Sequence, residues 1–114
     1  MLFICECKNV HITDVNIING PYWHLFLHGC EEVFVRGLKI KGDSPRWTND
    51  GIDIDCCSRV TVSDCIIDVG DDALTVRANK EPLLHKEGRS ENITVTNCVL
   101  RYSRDYRVRV GVGA

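Results

Sequence analysis

The chain has 114 residues, 44% hydrophobic, 26% charged and 7% aromatic, which suits one folded domain with a modest core and is too apolar for a disordered polymer. Fourteen Lys and Arg against sixteen Asp and Glu leave a formal charge of −2, so no basic field is present to hold nucleic acid or an anionic membrane. No apolar run approaches the roughly 18 residues of a membrane span, and Met1 to Cys5 meets Glu6 too early for a signal peptide, so the chain alone leaves its location unknown.

In chain order, Leu2 and Ile4 mark a first short strand. The segment after it, Val10-His11-Ile12-Thr13-Asp14-Val15-Asn16-Ile17, recurs three times: at Val33 to Ile40, at Val60 to Ile67 and at Ile93 to Leu100. In every copy the first, third, sixth and eighth positions are apolar, and the fifth is Asp14, Gly37, Asp64 or Asn97. Alternation sends positions one and three to one face. A residue tolerant of left-handed backbone at position five then lets the chain bend before the next strand. A further strand precedes each copy, at Leu25/Leu27, Ile52/Ile54 and Leu74/Val76, and a last one follows at Val108/Val110. The segments Gly42 to Thr48 and Asn79 to Ser90 read as loops. Three strands per repeat, fixed corners and Val/Ile/Thr enrichment predict an all-β chain, a parallel β-helix of about four coils in which each strand pairs with its copy one turn later.

Seven cysteines cannot all pair within one chain, and their spacing lacks the paired motifs of a zinc site. They read as buried thiols, with Cys30 stacked on Cys57 and Cys65 on Cys98, and no metal is expected.

Three carboxylates break the apolar pattern. With Leu25, Ile52, Leu74 and Val108 in one column, the residues two positions earlier are Trp23, Asp50, Asp72 and Tyr106. Strict alternation would send Asp50 and Asp72 into the interior, where unpaired carboxylates are costly, so the backbone is expected to turn there and bring them to the surface. Asp50, Asp71 and Asp72 then lie on adjacent coils within about 5 to 10 Å. Like charges so close raise at least one pKa, as a general acid beside a general base requires. Tyr22, Trp23, Trp47 and Tyr106 nearby suit sugar stacking or packing.

Asn49-Asp50-Gly51-Ile52-Asp53-Ile54-Asp55, followed by Val69-Gly70-Asp71-Asp72-Ala73, resembles the paired signatures of polygalacturonases and related pectin-degrading enzymes, glycoside hydrolase family 28. Gly20-Pro21-Tyr22-Trp23 and Cys30-Glu31-Glu32-Val33 are similar to the coil that precedes that site in bacterial members. The resemblance implies a right-handed parallel β-helix, a secreted or periplasmic location, no cofactor, and inverting hydrolysis of a galacturonate-containing polysaccharide. It also implies that Asp71 is the general acid and that Asp50 and Asp72 activate water, a division for which inversion needs carboxyls roughly 6.5 to 9.5 Å apart. The family's Asn-Thr-Asp reads Thr48-Asn49-Asp50 here, and Tyr106, within Asp105-Tyr106-Arg107, stands where its histidine is expected. Asn49, Tyr106, Arg107 and Arg109 are the expected substrate-binding residues, the arginines because guanidinium pairs bidentately with carboxylate.

Residues 1–114 are thus expected to form a single β-helix domain, read as the central part of a longer enzyme because neither end shows a cap. Its expected partners are a galacturonan-type polysaccharide and, through uncapped coil ends, a second copy of the chain; nucleic acid and membrane are not expected. Two other readings remain open: a carbohydrate-binding module without turnover, and a structural piece that self-associates.

Overall fold

A computed structural model describes residues 1–43, 46–79, 88–101 and 106–112. Among these, three parallel sheets account for the regular structure. The first is built from β1 (Leu2–Cys5), β4 (Leu25–His28), β7 (Ile52–Asp55), β10 (Leu74–Arg77) and β13 (Val108–Val112). The second holds β2 (Lys8–Thr13), β5 (Glu31–Arg36), β8 (Ser58–Ser63) and β11 (Glu91–Thr96). The third holds β3 (Asn16–Ile18), β6 (Lys39–Lys41), β9 (Ile66–Asp68) and β12 (Val99–Leu100). Every strand pairs with its copy one turn along, so the chain is a parallel β-helix, and the register follows the repeat: Leu2, Leu25, Ile52, Leu74 and Val108 form one ladder, and Val10, Val33, Val60 and Ile93 another.

The inward positions meet along the coil axis. Leu25, Leu27, Val33, Val35, Leu38, Ile52, Ile54, Val60, Val62 and Leu74 are fully buried, and the matching residues of the outer coils, such as Ile4, Val10 and Ile93, pack partly against them. Burying each Leu, Ile or Val side chain stabilises the fold by about 1.5–3 kcal/mol.

The fifth-position corners are all left-handed: φ is 57° at Asp14, 68° at Gly37, 57° at Asp64 and 52° at Asn97. They are tied coil to coil, the Asp14 amide donating to the Arg36 carbonyl and the Gly37 amide to that of Ser63. A Cβ at position 37 would meet Asp14 Oδ1 at 2.5 Å, so any larger residue there would push that exposed carboxylate aside. A second left-handed column, Asn9, Glu32, Arg59 and Asn92, bends the chain at the start of the second-sheet strands. Nothing in the residue types at positions 32 and 59 announces it.

The cysteines follow the expected columns in part. The Cys30 amide donates to Cys57 Sγ at 3.3 Å, and Cys30, Cys56, Cys57 and Cys65 are buried free thiols. Cys5 and Cys7, by contrast, are exposed on the first coil.

Candidate active site

The three aspartates stand where the chain enters the first sheet. Coil-to-coil bonds fix their places: the His24 amide donates to the Asp50 carbonyl at 2.9 Å, Gly51 to Asp72 at 2.9 Å, and Ala73 to Tyr106 at 3.1 Å. Asp50, Asp71 and Asp72 line one groove of about 250 Å³ with Thr48, Thr75, Arg77 and Arg109, and Tyr22, Trp23 and Trp47 supply its aromatic walls. They are more enclosed than surface carboxylates, at 6%, 7% and 3% exposed. The turn expected at these positions does take them out of the core, but into a covered cleft instead of open solvent.

Local chemistry dictates this backbone. A Cβ on Gly51 would stand 2.3 Å from the Ala73 carbonyl oxygen and 2.5 Å from Ile67, so only glycine lets the two coils approach. Asn49 Oδ1 accepts the Gly70 amide at 3.0 Å, joining the residue before Asp50 to the residue before Asp71. The buried His24 braces the same turn, with Nε2 accepting the Gly20 amide at 3.2 Å and Nδ1 lying 2.6 Å from the Asp50 carbonyl.

The carboxylates differ in surroundings. Asp72 takes the Tyr106 amide on Oδ1 at 3.2 Å and the Arg109 guanidinium on Oδ2 at 3.4 Å. Asp71 Oδ1 accepts the Asp72 amide at 3.0 Å. Asp50 Oδ1 is buried without a hydrogen-bond partner among the described residues. Burial, reinforced by the charges of Asp53, Asp71 and Asp72 and opposed by Arg77, pushes the Asp50 carboxyl up to about 8. The site therefore holds the unlike carboxyl environments that acid–base chemistry uses.

The expected substrate-binding residues separate. Arg109 lines the groove. Tyr106 contributes its amide to Asp72, while its ring, in a residue 55% exposed, lies 5.3 Å from the Arg109 guanidinium carbon. Asn49 is buried at the hinge of the turn and backs a neighbouring cavity of about 330 Å³ on the far side of Thr48, so its side chain braces the coils and does not line the groove. Arg107 is exposed, and its carbonyl accepts the Leu74 amide at 3.1 Å. Of the Gly42 to Thr48 loop, Trp47 and Thr48 form a wall, whereas Ser44 and Pro45 lie outside the described residues, as do Asp105 and much of the Asn79 to Ser90 loop.

Sequence reasoning missed a layer beneath the groove. Asp53, Asp55, His28, Thr75 and Arg77 project from the outer face of β4, β7 and β10, and the first four of these are buried. The outward columns Phe26/Asp53/Thr75/Arg109 and His28/Asp55/Arg77 carry the signal, two carboxylates beside one arginine, although outward charges on a strand ordinarily read as solvated. Among the described residues, no group of three His, Cys, Asp or Glu is placed to hold a metal ion.

The chain is thus a parallel β-helix with a carboxylate-lined groove on the outside of one sheet. The family model described as glycosyl hydrolases family 28 matches residues 1–103, and the chain belongs to that family. It is 32% identical over 80 residues to a polygalacturonase of Chamaecyparis obtusa, covering 70% of this chain and 16% of that protein. A probable polygalacturonase of Arabidopsis thaliana is 26% identical over 116 residues, covering 84% of this chain and 25% of that protein. A Juniperus ashei polygalacturonase is 31% identical over 80 residues, with 70% and 16% covered. The match thus spans a quarter or less of each of these relatives. No solved structure matches the chain.

Proposed function

We propose that the chain carries the catalytic coils of a pectin-type glycoside hydrolase that cleaves galacturonate-containing polysaccharide with inversion. The observation that carries this reading is the convergence of Asp50, Asp71 and Asp72, from adjacent coils, on one groove. Asp71 protonates the glycosidic oxygen as the bond to the anomeric carbon breaks. Asp50 and Asp72 take the proton of a water that adds to the opposite face of the sugar. A carboxyl with proton affinity near neutrality is a strong base once ionised, which suits the Asp50 environment. Arg109, beside Asp72 at the groove, pairs with a substrate carboxylate, Tyr106 packs next to it, and Arg107 borders the same turn. These side chains need no cofactor for the reaction.

Residues 1–114 form, on this reading, one β-helix domain that supplies the aspartate-bearing middle of a longer enzyme, in keeping with the small share of each relative that it matches. A second reading, binding without turnover, is favoured by Tyr106 at the position expected for histidine. For the isolated polypeptide, coil-end association is a further proposal, supported by exposed Leu2, Val108 and Val110 on the outermost coils.

The test is reducing-end release from polygalacturonate and rhamnogalacturonan, with Asp71→Asn as control. Release that disappears in the variant supports hydrolysis. Saturable binding of the polymer with no release in either protein supports the binding module.

A further inference from the structure

The layer beneath the groove has a construction of its own. Asp53 and Asp55 alternate with the core residues Ile52 and Ile54, so they project from the outer face of β7, yet they are 0% and 1% exposed. Arg77 covers them from β10, with Nη1 3.5 Å from Asp53 Oδ1 and Nε 3.8 Å from Asp55 Oδ2. On its other side the guanidinium carbon lies 4.6 Å from the centre of the Trp23 ring, which Phe26 meets edge-on at 4.9 Å. One planar cation is thereby held between an indole in the groove wall and two carboxylates under the floor. Lysine has neither the flat face nor the fork for this arrangement.

Arg77 is thus committed to these partners, and its charge serves the site from within. Asp53 follows Asp50 by three residues on the same coil, and its Oδ1 accepts Thr75 Oγ1, a groove-lining hydroxyl, at 2.5 Å. Around the Asp50 carboxyl stand Asp53 from its own coil and Asp71, Asp72 and Arg77 from the next; the Arg109 guanidinium, one coil further, contacts Asp72. His24, from the preceding coil, reaches the Asp50 carbonyl. His28 Nδ1 lies 3.7 Å from Asp55 Oδ2, behind the pair.

We propose that Arg77 is a positioning residue of the active site: clamped between Trp23 and the buried pair Asp53 and Asp55, it offsets part of the charge under the groove floor and so lowers the pH at which Asp50 gives up its proton to act as base. The inference rests on the reading of Asp50 as a water-activating base. Without Arg77, two buried carboxylates would face an ionising Asp50 with that countercharge removed. The lowering influence of Arg77 on Asp50 and on Asp53 agrees with this geometry.

The experiment is titration of the Asp50 side-chain carboxyl by carbon NMR in the full chain, in wild type, Arg77→Gln, Asp53→Asn and the double variant. Arg77→Gln is expected to raise the Asp50 midpoint by about one pH unit or more, Asp53→Asn to lower it, and the double variant to bring it back toward wild type. The acidic limb of kcat/KM on polygalacturonate should move with the midpoint. In a Trp47→Phe background, emission from Trp23 should change in Arg77→Gln, reporting the lost stack. Arg77→Lys guards against misfolding of the neutral variant: it keeps the charge and should hold the Asp50 midpoint near wild type while altering Trp23 emission. An Asp50 midpoint that does not move in folded Arg77→Gln, or that moves by a full unit in Arg77→Lys, overturns the proposal. Full turnover by Asp50→Asn would instead overturn the reading of Asp50 as base, whatever Asp50 does on titration.

Discussion

Arg109 Nη1 stands 3.4 Å from Asp72 Oδ2, a contact in which the arginine side chain is 46% exposed and the aspartate 4%. The guanidinium therefore keeps donors facing the groove while one edge is anchored. If it receives a substrate carboxylate, Arg109→Gln should raise KM for galacturonan oligomers about tenfold with a smaller change in kcat, in line with the loss of one charge-assisted hydrogen bond. Steady-state kinetics with charged and methyl-esterified oligomers checks this. An equal effect on both substrates would mean that Arg109 supports Asp72 and does not read the substrate's charge.

Asp50 makes stability depend on pH. Its carboxyl is pushed up to about 8 in the fold, above the roughly 3.9 of an unfolded chain, so the folded state holds the proton more tightly. That contribution is complete below about pH 4 and is lost as the pH rises through about 8. Asp53, raised to about 6 chiefly by burial, acts in the same direction over a narrower window. Asp50→Asn should therefore gain on wild type as pH increases, by about 1 kcal/mol or more between pH 5 and pH 8. Urea midpoints at the two pH values measure it, and a gain confined to pH 5 would contradict the assignment.

The Gly51 approach and the Asn49 bridge carry the turn mechanically. Gly51→Ala would drive a methyl into the Ala73 carbonyl and Ile67, which are parts of a packed coil and not a flexible side-chain end. A loss of about 3 kcal/mol is expected. Asn49→Ala leaves the buried Gly70 amide without its acceptor and should cost about 1–3 kcal/mol. Chemical denaturation checks both. If Asn49→Ala kept wild-type stability and lost only substrate affinity, Asn49 would be a substrate ligand and not a brace.

Most of the coil was legible in the sequence because a parallel β-helix writes its register directly: the apolar positions that align Val10, Val33, Val60 and Ile93 are the residues that pair. The Asp14, Gly37, Asp64 and Asn97 corner was legible for the same reason, since residue types that tolerate positive φ recur there. The Glu32 and Arg59 bend was not, because stacking between coils imposes left-handed backbone on residues that do not favour it alone. Asp50 and Asp72 stood out as charges at apolar positions, and Asp71 as the carboxylate beside Asp72. Asp53, Asp55 and Arg77 did not, since outward charges on a strand look solvated until Trp23 and Phe26 are seen to cover them. Their burial depends on contacts between coils that no single repeat reveals.

Inverting hydrolysis by Asp50, Asp71 and Asp72, as proposed, leaves its signature at the new reducing end. The most direct measurement is proton NMR of the anomeric signals released in the first minutes of digestion of polygalacturonate, run beside Asp71→Asn. Wild type is expected to form a new reducing end whose configuration is opposite to that of the bond cleaved, with the rate lower by at least about a hundredfold in the variant. Release with retained configuration, or release that survives Asp71→Asn unchanged, would contradict it.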